Sequence, residues 1–76
     1  MIQDPPKINA PGTATAGSTV TVAVSNADSV TVYTDDGFQT LPVRKGKAVV
    51  PVPNRPGRLY IRAGNNLAMV EIISKG

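Results

Sequence analysis

The 76 residues predict an all-β fold, a single small two-layer antiparallel sandwich of about seven strands in preference to a small barrel. Three observations carry this expectation. Apolar and polar residues alternate at period two, as in TVTVAV and SVTVYT, without the three- and four-residue recurrence of an amphipathic helix. Seven prolines and seven glycines interrupt every window long enough for a helix. Turn signals recur about every ten residues, the rhythm of short strands joined by tight connections.

Residues 1–12, MIQDPPKINAPG, read as an extended proline-rich arm or edge strand, its strand at 7–10 flanked by prolines. The sandwich proper then spans 13–76. Residues 18–24 place Val20, Val22 and Val24 on one face and Thr19, Thr21 and Ala23 on the other, a half-buried strand. SNAD turns the chain into 29–34, where Val30 and Val32 point inward and Thr31 and Tyr33 outward. A strand at 38–43 follows, then the basic turn RKGK. The segment 48–53 has alternate prolines, as an edge or irregular strand would. After the turn NRPG, residues 58–63 set Leu59, Ile61 and Ala63 on one face and Tyr60 and Arg62 on the other. Residues 64–66, GNN, suit a tight hairpin. In the last strand Ala68, Val70 and Ile72 form one set, and Leu67, Met69, Glu71 and Ile73 the opposite one.

Between two of these strands stands DDG, residues 35–37, which poses a choice between chemistry and a bend. Two carboxylates acting as acid and base must converge on one bond from about 5 to 10 Å apart, and neighbours in a turn do not. Asp-Gly is a strong hairpin signal, because both residues tolerate turn conformations. The bend is preferred; a calcium site shared with Asp28 is the alternative.

Composition excludes much else. With no cysteine and no histidine, neither a disulfide nor the usual zinc, copper or iron ligand sets can be assembled from one chain. The serines and threonines have no histidine to activate them, and the lysines sit beside glycine, proline or a chain end. Neither the P-loop nor the dinucleotide glycine spacing occurs. No catalytic residue, cofactor or enzyme activity is therefore expected. No apolar run approaches the roughly 20 residues of a membrane helix, and the acidic, proline-containing start does not read as a secretory signal. No membrane association or export is expected.

Net charge is +3, and no acid lies between Asp36 and Glu71, a gap that holds Arg44, Lys45, Lys47, Arg55, Arg58 and Arg62. Specific nucleic-acid binding is not expected, because single strands call for aromatic platforms and grooves for a helix or ribbon, and the chain has three aromatics. The basic turns read as a solvated surface suited to acidic partners.

The run AGSTVTVAV, the segment GKAVVPVPNRPGRLYIRAG and the closing MVEI give the chain a pattern that resembles the immunoglobulin-like modules of bacteriophage virion proteins and bacterial surface proteins. It lacks the core cysteine pair and tryptophan of that family and falls short of its usual length of about 100 residues. The resemblance implies that the strands at 29–34, 58–63 and 67–74 lie side by side in one sheet. Their outward residues, Thr31, Tyr33, Tyr60, Arg62, Leu67, Met69 and Glu71, then share a face, with an Arg62–Glu71 pair across it. Tyrosine, methionine and arginine are enriched at protein interfaces.

The expected partner-binding residues are Tyr33, Tyr60, Arg62 and Met69, with Arg44, Lys45 and Lys47 as a basic rim. The function expected from the resemblance is a non-enzymatic structural or binding module, a bacteriophage capsid decoration or other virion accessory protein. Its partner would be a protein lattice such as the major capsid protein. Without an export signal, a module of this kind would reach the virion surface from the host cytoplasm. The alternative is a glycan-binding or adhesion module from a larger bacterial surface protein, with the tyrosines stacking on sugar rings.

Overall fold

A computed structural model of the chain describes residues 5–74. Among these there is no helix, and eight strands form two sheets. In chain order they are β1 (Lys7–Asn9), β2 (Thr13–Thr15), β3 (Thr19–Ser25), β4 (Ser29–Thr34), β5 (Gly37–Pro42), β6 (Lys47–Pro51), β7 (Gly57–Ala63) and β8 (Asn66–Ile73). One sheet has the order β1-β3-β6; the other has the order β2-β8-β7-β4-β5. The all-β expectation holds.

Two corrections apply to the expectation of about seven antiparallel strands. An eighth strand, β2, was not anticipated, and it runs parallel to β8, with Ala14 opposite Ile72. The cause is Pro11–Gly12, which breaks the leading segment. Its first half, β1, stays on β3 of one sheet, and its second half crosses to the edge of the other. The part of the expected arm before residue 5 lies outside the described residues, and Lys7–Asn9 is an edge strand.

The core is wholly aliphatic. Leu59, Ile61, Val22, Val30, Val32, Val50 and Val70 are fully buried, surrounded by Ala14, Ala16, Val24, Ala48, Val52, Ala63 and Ile72. Apart from Ala16 and Val52, which lie just past the ends of β2 and β6, these are the inward positions of the alternating strands, so the period-two pattern and the burial coincide. Among the described residues no polar or charged side chain is buried.

Turn chemistry sets the registers. Lys45 and Gly46 carry φ of 54° and 76°, the two positive angles of a type I′ turn, and Arg44 and Lys47 exchange backbone hydrogen bonds across it. Lys47 is thus the first residue of β6. In the β7–β8 hairpin the loop is Gly64–Asn65, and only Gly64 is positive (φ 59°), as in a type II′ turn. In the β4–β5 bend Asp35 and Asp36 keep negative φ, and the positive angle falls on Gly37.

Gly64 is constrained twice. A Cβ there would lie 2.9 Å from Cγ of Pro6, and the Asn66 side-chain amide donates to the Pro6 carbonyl. Gly64→Ala is therefore expected to destabilise the domain by about 1–3 kcal/mol. Urea unfolding should show this as a lowered midpoint at unchanged slope.

Candidate binding face of the five-stranded sheet

The expected neighbours are adjacent, in the order β8-β7-β4. Their outward residues fall into rows fixed by register. Phe38 lies opposite Tyr33, Tyr33 opposite Tyr60, and Tyr60 opposite Met69, so one row crosses four strands as Phe38–Tyr33–Tyr60–Met69. The next row is Thr40–Thr31–Arg62–Leu67. Side chains directly opposite stand about 5 Å apart at Cβ, so each row is a continuous strip.

Phe38 is 74% exposed, Leu67 61% and Met69 49%, while the two tyrosines are half-buried by their neighbours. The Tyr33 and Phe38 rings tilt by 38° at a centroid distance of 6.0 Å, within the range of favourable aromatic pairs. Every aromatic residue of the chain is therefore in this one row, and none is in the core. Phe38 was absent from the candidate residues. The signal for it was the two-residue Asp35–Asp36 loop, which makes Thr34 and Gly37 a pair and puts Phe38 across from Tyr33.

The expected Arg62–Glu71 pair does not form. The Gly64–Asn65 loop places Arg62 opposite Leu67 and Glu71 opposite Arg58, and Arg62 Nε donates instead to the Gly64 carbonyl at 3.0 Å. Beside Arg62 the two tyrosines, Leu67, Asn65 and Asn66 line an open depression of about 520 Å³. Its walls combine aromatic faces, one guanidinium and loop amides, a set able to hold either a protein side chain or a sugar ring.

Arg44, Lys45 and Lys47 stand apart from this face. They occupy the turn that carries the chain from β5, the edge of the five-stranded sheet, to β6 in the other sheet. By the strand directions this turn shares one end of the sandwich with Asn65 and Asn66, and so borders the face at its Arg62 side. The Asp35–Asp36 bend is at the opposite end, where Asp36 is paired with Arg55 of the β6–β7 connection. Both side chains of that pair are more than half exposed, so it adds little to stability. Among the described residues no three carboxylates come together.

No known family model, curated protein or solved structure matches the chain.

Proposed function

We propose that the chain is a non-enzymatic binding module, an immunoglobulin-like sandwich that docks on a partner protein through the outer face of its five-stranded sheet. The observation that carries this reading is the placement of its aromatic residues. A 76-residue domain has little core to spare, yet Phe38, Tyr33 and Tyr60 line up outside, with Met69 completing the row. Fully burying a side chain such as Phe38 is worth about 1.5–3 kcal/mol, so leaving Phe38 exposed and the two tyrosines only half-buried forgoes part of the stabilisation a core position would give. A row that is buried on binding recovers it. The division of strands supports the immunoglobulin-like assignment: β4, β7 and β8 share a sheet facing β1, β3 and β6, as in that architecture.

The partner we propose is a repeated protein lattice, with the module decorating the surface of a bacteriophage virion and the capsid protein beneath it. The resemblance of AGSTVTVAV and GKAVVPVPNRPGRLYIRAG to such modules supports this choice. Arg44, Lys45 and Lys47 then form a basic rim meeting acidic groups beside the docked face.

The second reading is glycan binding, favoured by the depression between Tyr33, Tyr60, Arg62, Asn65 and Asn66. A native-lysate pull-down quantified by mass spectrometry separates the two when run beside Tyr60→Ala/Arg62→Glu. One abundant lattice-forming protein, lost in the double variant, is the expected result. Retention on cell-wall glycan with no protein partner would replace docking by glycan binding.

A further inference from the structure

We propose that the chain forms a two-fold dimer by antiparallel pairing of β5 with β5 of a second copy. The outer-face reading plays no part in this inference. It comes from comparing the four sheet edges. β1 and β2 are only three residues long. In β6 the residues turned to the free edge are Lys47, Val49 and Pro51: Val52 and Val24 bond Ser18 and Gly46 across β3–β6, and antiparallel pairs alternate. Lys47 is already bonded to Arg44, and Pro51 has no N–H. Three edges are thus short or blunted, as edges of natural sheets are.

β5 is neither. It is six residues long, GFQTLP, without a charge, and exposed along most of its length. Val43 N–H donates to the Asp28 carbonyl at 2.8 Å, so by alternation Leu41, Gln39 and Gly37 bond to β4, and Phe38 and Thr40 turn both backbone groups to the free edge. Pro42, whose nitrogen also faces outward, ends the pairing segment.

The occupant is a second copy because the edge is self-complementary. With Phe38 opposite Thr40 of the second copy, the two-fold axis passes at Gln39, and the exposed hydrogen-bonding groups of Phe38 and Thr40 satisfy one another in four bonds. The two Gln39 side chains face each other, and an amide both donates and accepts. In this register Gly37 falls opposite Leu41 of the second copy, so the Asp35–Asp36 bend that precedes Gly37 lies beside the Pro42 end of the second copy's β5. The acidic Asp35–Asp36 bend of each copy then borders the basic Arg44–Lys45 turn of the other, twice by symmetry, and no like charges meet along β5. The pairing joins the two five-stranded sheets into one of ten strands.

Sedimentation equilibrium on the full chain tests this, with Thr40→Pro beside wild type. The substitution removes two N–H donors from the interface and none from β4–β5, so it should weaken dimerisation by about tenfold or more with the fold retained. Amide exchange on the wild-type chain is the second readout: Phe38 and Thr40 should become protected as protein concentration rises. A wild-type monomer at millimolar concentration overturns the proposal, as does a Thr40→Pro dimer of unchanged strength. Protection of these amides only on addition of a different protein also overturns it, assigning the edge to strand addition by that protein.

Discussion

Tyr60→Ala is expected to weaken partner binding about 30-fold or more, equivalent to about 2 kcal/mol, while lowering domain stability by about 2 kcal/mol or less. Tyr60 stands in the interior of the aromatic row, with Tyr33 on one side and Met69 on the other. Central aromatic side chains in such settings dominate binding energy. Its folding role is limited to two cross-strand contacts, each worth a few tenths of a kcal/mol to about 1 kcal/mol. Titration of the captured partner and urea unfolding of the same variant check the two halves. A variant that binds normally would remove Tyr60 from the interface; one that unfolds would make the row structural.

Leu59→Ala is expected to produce the opposite pattern. Leu59 is adjacent in sequence but fully buried, on the inner side of β7. Removing a buried leucine side chain costs about 2–5 kcal/mol, because transfer free energy is lost and the cavity relaxes only in part. The total stability expected for a domain of this length is about 4–11 kcal/mol, so this one change should consume much of it. The midpoint of urea unfolding should fall sharply at constant slope, with binding of the residual folded protein unaffected. A loss below about 1 kcal/mol would mean that the sandwich closes over the gap. The contrast between residues 59 and 60 is a direct consequence of period two: one position along β7 separates a buried core side chain from one on the outer face.

That separation is also why the strands and their faces were legible in the sequence. Val22, Val24, Val30 and Val32 at alternate positions, and Leu59, Ile61 and Ala63 in β7, mark inward faces that the structure buries, with Val20 partly buried beside them. The parts that were not legible depend on distant pairing or on loop length. β2 is a three-residue TAT between Gly12 and Gly17, and its partner is the far end of the chain, so no local alternation marks it. The partner of Arg62 follows from whether the β7–β8 loop has two residues or three. Once Gly64 and Asn65 form the loop, Leu67 is opposite Arg62 and the anticipated bridge to Glu71 is out of register. The same count at Asp35–Asp36 adds Phe38 to the row. Arg44, Lys45 and Lys47 were grouped with the tyrosines by charge, and the structure places them on a turn between sheets at the border of the face.

On the proposed reading, the partner docks on the outer face of the five-stranded sheet. The most direct test of this claim compares substitutions on opposite outer faces in one quantitative binding measurement. Val49 on β6 is 59% exposed and belongs to the other sheet, so Val49→Ser is the control for loss of a large exposed apolar side chain. Partner capture should fall about 30-fold or more for Tyr60→Ala and stay at the wild-type level for Val49→Ser. Capture that is unchanged for Tyr60→Ala and lost for Val49→Ser would contradict the claim and move the binding surface to the three-stranded sheet.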